Sequence, residues 1–116
     1  MIKNQLIYVA HPFGGDKANK YSIDTIMENL VMLDKNNTYL SPLHNFSMLY
    51  FDKQYSKGLK ICLDMLNKCD ALVLCGDWET SKGCIGEWSF AIAKGMPIYT
   101  WKEWTDKLKE QGDNSR

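Results

Sequence analysis

The sequence predicts an α/β protein, a three-layer sandwich with a small parallel sheet between two layers of helices. Three observations predict it. Short apolar runs alternate with longer stretches at helical spacing along all 116 residues. One run, Ala71-Leu72-Val73-Leu74, is unbroken, which suits a central strand covered on both faces. The glycine-bearing polar loops HPFGGDKAN and GDWETSKG each follow such a run, so they fall together on the carboxyl rim, where open parallel sheets bind ligands.

The first strand is QLIYVA, residues 5–10, ended by the Pro-Gly-Gly loop. Residues 19–35 carry Ile23, Ile26, Met27, Leu30, Val31 and Leu33 at helical spacing, and Asn36-Asn37 ends that helix. TYLSP is a short second strand. The segment LHNFSMLYFDKQ has no clear period and reads as an irregular, partly helical crossing. From Tyr55 to Lys68 a second long helix is marked by Leu59, Cys62, Leu63 and Leu66, with Cys69 just beyond. Asp70 ends it and leads into the third strand.

A third helix runs from Cys84 to Lys94, with Ile85, Trp88, Ala91 and Ile92 on one face and Gly95 as its C-terminal cap. Residues 97–100 form the last strand. WKEWTDKLKEQ is a closing polar helix, after which GDNSR is expected to fray. The order is that of a Rossmann- or flavodoxin-like sheet. No repeat, linker or low-complexity tract divides it, so residues 1–116 are expected to form one domain.

Composition narrows the function classes. Lys plus Arg and Asp plus Glu are both 14, and a balanced chain has no field to draw in nucleic acid or an anionic membrane surface. No apolar run approaches the roughly 18 residues of a membrane span. MIKNQLIYVA is too short and strand-like for a signal peptide, so the expected location is cytoplasmic. Cys62, Cys69, Cys75 and Cys84 contain no C-x-x-C pair, and His11 and His44 are not spaced with them as zinc ligands. They are expected as reduced core thiols. Cys84 is the exception to test, because a thiol at a helix start can have a lowered pKa.

The rim supplies the candidate chemistry. Gly14-Gly15 lets backbone N–H groups approach an anion at a helix start, or is an ordinary turn. Glu87 lies about one turn into its helix, where the dipole and loop N–H groups favour the ionised form. It is either a nucleophile for a cationic sugar transition state or a residue that complements the dipole. Tyr8, near the end of the first strand, can hold a carboxylate by its phenol or be a core tyrosine. Asp77 can accept sugar hydroxyls, serve as an acid, or be a Gly-Asp turn residue. Ser81 and Lys82 can bind a phosphate or be a solvated loop. Trp78 can stack on a base or cover a neighbour, and His11 can reach a ligand from the first loop. Asp64 falls on the polar face of its helix.

Taken in order, these features resemble the nucleoside 2-deoxyribosyltransferase-like superfamily, and most closely a compact, largely uncharacterised branch of it found in phages and bacteria. The matching motifs are Tyr8-Val9-Ala10-His11-Pro12-Phe13-Gly14-Gly15, then Cys69-Asp70 entering the apolar strand, then Ser81-x-Gly83-x-x-x-Glu87, then Ala91-x-x-x-Gly95-x-Pro97. The resemblance implies cleavage or transfer of an N-glycosidic bond on a nucleoside or nucleoside 5′-monophosphate. It implies that Glu87 attacks the anomeric carbon, that Tyr8 orients it, and that Ser81 contacts the 5′ end. Asp77 would assist the departing base, with Asp64 a weaker match for a second acid. His11, Phe13, Gly14, Gly15, Lys82 and Gly83 would complete the substrate-binding rim. No metal or other cofactor is implied, and a homodimer or higher homo-oligomer is. The loop from Gly76 to Gly83 departs from the relatives' pattern. Because some relatives only bind nucleotides, the alternative is a non-catalytic nucleotide-binding or sequestering module.

Overall fold

The computed structural model describes residues 4–12, 16–42 and 55–114, with side chains described over 58–110 of the last stretch. Phe13, Gly14 and Gly15, and the crossing expected over 43–54, lie outside the described residues. The element order is β1 (Leu6–Ala10), α1 (Lys17–Leu33), β2 (Thr38–Leu40), α2 (Tyr55–Asn67), β3 (Ala71–Leu74), a 3-10 turn (Trp78–Thr80), α3 (Lys82–Lys94), β4 (Ile98–Thr100) and α4 (Trp101–Asn114). The strands pair in the order β2-β1-β3-β4, and every pairing is parallel. This is the α/β sandwich that the alternation of runs predicts.

Side chains on a strand alternate between faces, and the core divides accordingly. Ile7, Val9, Ala71 and Val73 face α1 and α4, where they meet Ile23, Leu30, Trp104 and Leu108. Tyr8, Ala10, Leu72 and Leu74 face α2 and α3, where they meet Cys62, Leu66, Cys84 and Ala91. Tyr8 is therefore committed by strand parity to the α2–α3 side. Polar side chains pin the ends of the elements. Asp70 Oδ2 accepts from the Leu6 backbone N–H at 2.7 Å, which ties the start of β1 to the start of β3. Asp16 caps α1 by accepting from Ala18 N–H at 2.7 Å. Gly95 closes α3 at φ 77°, the left-handed conformation that glycine adopts without a Cβ clash.

Several boundaries and faces differ from the sequence reading. Helix α1 begins two residues earlier and stops at Leu33, and its Val31 and Leu33 are exposed rather than core-facing. Helical spacing marks a stripe, but a helix lying on a sheet buries a narrower one, here Ile23 and Leu30. In α3, Ala91 is buried while Ile85 and Ile92 are exposed, so the shared face expected for them splits. The polar residue Glu87 takes the inward position that Ile85 and Ile92 were expected to define. At the end of the chain α4 continues to Asn114, three residues beyond the expected stop at Gln111.

Candidate active site

Helix α3 starts at Lys82, two residues before the expected start at Cys84, with Ser81 as its N-cap. The Ser81 hydroxyl oxygen accepts from Cys84 N–H at 3.2 Å. Glu87 is consequently in the second turn, beyond the residues that complement a helix dipole, whose effect fades within the first turn. It is buried, only 5% exposed. The Tyr8 hydroxyl donates to Glu87 Oε2 from across the α2–α3 side of the sheet. The two residues are 79 positions apart in sequence.

Burial decides the electrostatics of this pair. It pushes the Glu87 carboxyl up to about 7, while the hydrogen bond from Tyr8 pulls the other way. The expectation that helix dipole and loop N–H groups hold Glu87 ionised is thus corrected: the second-turn position is too deep and too apolar for it. Burial first, then the Glu87 charge, raises Tyr8 far above the ordinary phenol range, so it stays a protonated donor. Cys84, one turn before Glu87, is buried as well. Its thiol is pushed up to about 12 by burial and by Glu87, the reverse of the lowering a helix start can give. All four cysteines are free and buried.

The rim loop after β3 holds the other predicted residues. Gly76 takes φ +61° and Asp77 is exposed. The Asp77 carbonyl, not its carboxylate, accepts from Thr80 N–H at 3.0 Å and Thr80 Oγ1 at 2.8 Å, forming the 3-10 turn. Lys82 is exposed at the first position of α3, and Gly83 is half-buried beside it. Trp78, half-buried, lies with its ring centroid 6.0 Å from that of Trp88 and tilted 41°. Asp64 is placed elsewhere: it is exposed on α2 and ion-paired with Lys60 at 2.9 Å.

His11 is held at the end of β1 by three neighbours. Its Nδ1 donates to the Pro12 carbonyl at 2.7 Å, since a carbonyl can only accept. In the neutral ring Nε2 then accepts from Ser22 Oγ at 3.0 Å. A Cβ at Gly76 would stand 2.8 Å from that Nε2, so the imidazole occupies space that only glycine leaves open. His11 therefore ties the β1 loop to α1 and to the loop carrying Asp77. Among the described residues no three His, Cys, Asp or Glu side chains gather as metal ligands. Nor is any helix among them long and apolar enough to cross a membrane.

Residues 5–100 match a family described as a domain of unknown function, DUF4406. The chain belongs to the DUF4406 family. No curated protein matches it. Among solved structures, this DUF4406 domain is similar to the 2-deoxyribosyltransferase from Bacillus psychrosaccharolyticus. The TM-score is 0.62 at 20% identity, covering 82% of this chain and 70% of that one. It is also similar to a conserved protein from Enterococcus faecalis V583, with a TM-score of 0.65 at 22% identity, over 84% of this chain and 62% of that one. The DUF4406 domain thus has the nucleoside 2-deoxyribosyltransferase-like fold, and it spans less than two thirds of the Enterococcus protein.

Two residues of this neighbourhood escaped the sequence reading. Ser22 is a single hydroxyl inside an ordinary helical stretch, and only the fold sets it against His11. Cys62 stood out as an apolar helix position, and only tertiary packing sets it in one buried cluster with Tyr8 and Cys84. Helical spacing does place Cys62 on the buried face, which is the one signal that could have raised it.

Proposed function

We propose that this DUF4406 domain cleaves or transfers an N-glycosidic bond of a nucleoside or nucleoside 5′-monophosphate, with Glu87 as nucleophile. The observation that carries the reading is the Tyr8–Glu87 hydrogen bond: a buried carboxylate held by a strand phenol, in a fold shared with a 2-deoxyribosyltransferase. Glu87 attacks the anomeric carbon as the carbon–nitrogen bond breaks, and the bonding pair leaves with the base. Asp77, on the rim, is the proposed donor of the proton that the departing base takes up. Water or a second base then attacks the same carbon and releases the Glu87 carboxylate. His11, the loop of Phe13, Gly14 and Gly15, Ser81, Lys82 and Gly83 are proposed to hold the sugar and its 5′ end, and a homo-oligomer is proposed as the working assembly.

The test is free-base release from a panel of ribo- and deoxyribonucleosides and their 5′-monophosphates, with and without an acceptor base. Release by wild type should fall by about 10³-fold or more in Glu87→Gln, the loss expected of a missing nucleophile. Activity should also rise with pH through about 7, because attack needs the ionised carboxylate. Equal turnover in wild type and variant overturns the reading.

One observation favours a second reading, a non-catalytic nucleotide-binding module. Burial leaves Glu87 largely protonated below neutral pH, where a carboxylic acid binds as a hydrogen-bond donor. Tight nucleotide binding without base release from any member of the panel would select it.

A further inference from the structure

Backbone pairing between β1 and β3 ends where Cys75 N–H donates to the Ala10 carbonyl at 2.9 Å. The next residues, His11 and Gly76, carry the two chains onto the rim, and there a side chain takes over from the ladder. The His11 ring brings its Nε2 tip to Gly76: a Cβ on that glycine would stand 2.8 Å from Nε2, 3.2 Å from Cε1 and 3.3 Å from Cδ2. Gly76 also holds φ +61°, in the left-handed region that favours glycine. Glycine is the most freely rotating joint a chain has, and this one comes one residue before Asp77. The imidazole fills the space beside that joint.

The ring is itself fixed from two sides. Nδ1 lies 2.7 Å from the Pro12 carbonyl, which only accepts, so a neutral ring carries its proton on Nδ1. Nε2 is then an acceptor, and the Ser22 hydroxyl donates to it at 3.0 Å from the second turn of α1. The bond at one ring nitrogen sets the role of the other, so Pro12 and Ser22 together fix both tautomer and orientation. We propose that Ser22 and His11 are positioning residues for Asp77: Ser22 orients the imidazole and the imidazole seats the Gly76 joint, so that helix α1 sets where the Asp77 carboxylate stands on the rim. This narrows the part His11 plays in the site. With both ring nitrogens bonded within the chain, it holds the substrate through the loops it sets. The consequence for turnover rests on the reading of Asp77 as proton donor to the departing base; the placement of the loop does not.

The test has one arm without turnover and one with it. In the first, nitrogen NMR of the His11 ring above about pH 8, where an imidazole is neutral, should find the proton on Nδ1. Ser22→Ala should move the backbone amide signals of Gly76 and Asp77, although Ser22 lies on another element. A proton on Nε2 in wild type, or Gly76 and Asp77 signals untouched by Ser22→Ala, would overturn the proposal. In the second arm, kcat is compared on two substrates that share a sugar. One is a nucleoside that wild type turns over; in the other the base is replaced by 4-nitrophenolate, which takes the bonding pair and departs without needing a proton. Ser22→Ala should lower kcat on the nucleoside by about 10-fold and His11→Ala by about 10- to 100-fold, the loss that a misplaced general acid gives. On the nitrophenyl glycoside each loss should be at least about 5-fold smaller, because the acid is not used there. No loss on the nucleoside, or equal losses on both substrates, would overturn the proposal. A wild type that releases no base would sink the glycosidic reading, and the NMR arm would still decide whether Ser22 and His11 set the loop.

Discussion

Among the described residues two carboxylates are buried, Asp34 on the α1–α4 side of the sheet and Glu87 on the α2–α3 side, and each accepts from a tyrosine. Asp34 is surrounded by donors: Asn36 N–H at 2.9 Å, Asn37 Nδ2 at 2.9 Å and the Tyr39 hydroxyl at 2.5 Å. Tyr39 is itself anchored by Trp104 Nε1 at 3.0 Å. All three donors to Asp34 come from within five residues, so the turn between α1 and β2 satisfies its own carboxylate. Glu87 is instead buried on α3 one turn after Cys84, and its described donor comes from a distant strand. A saturated carboxylate fixes a turn. A buried carboxylate whose one donor among the described residues is a distant phenol keeps a raised pKa, at a cost in folding stability when it ionises.

That contrast can be broken most directly through pH. The Glu87 carboxyl is raised from an ordinary 4.5 to about 7 in the folded chain. The native state therefore holds its proton more tightly than the unfolded state does. The stabilisation associated with this group is fully present below about 4.5 and is lost as pH rises through about 7. Glu87→Gln removes the dependence, so its advantage over wild type should grow across that window to roughly 3 kcal/mol. Urea unfolding at several pH values measures it, and parallel curves for the two proteins would deny that burial governs Glu87.

The two tyrosines give a smaller and more selective contrast. Tyr8→Phe should lower base release by about 10- to 100-fold, the scale of one oriented donor at a reacting group. Tyr39→Phe should leave release unchanged and cost about 1–2 kcal/mol of stability, since Asp34 and Trp104 lose a shared partner. Similar losses of turnover in both would erase the distinction between the two sides of the sheet.

The smallest effect concerns Ser81, which caps α3 and is also proposed to reach the 5′ end of the substrate. Ser81→Ala should cost about 1 kcal/mol of stability and raise KM, whereas Ser81→Asp should restore the cap but not KM. Recovery of both by aspartate would reduce Ser81 to a cap.

The sequence by itself determined the layering of this protein. Apolar runs of strand length between helical stripes leave few ways to bury both, and a parallel sheet between helices is the one that suits an unbroken run such as Ala71–Leu74. Local signals also placed Gly95 at the end of α3, because a left-handed cap is a property of one residue and its neighbours. The motif order brought Glu87, Tyr8 and the rim loops into view as candidates. Tertiary structure decided their surroundings. Whether Glu87 lies in the first turn or the second depended on where Ser81 caps the helix. Whether that position is wet or dry depended on α2 closing over α3. The same packing turned Ile85 and Ile92 outward and buried Cys62 in one cluster with Tyr8. The pKa of a carboxylate is set by its burial and its nearest partners, and here the partner hydroxyl comes from β1, 79 positions away in sequence, so only folding assembles the pair.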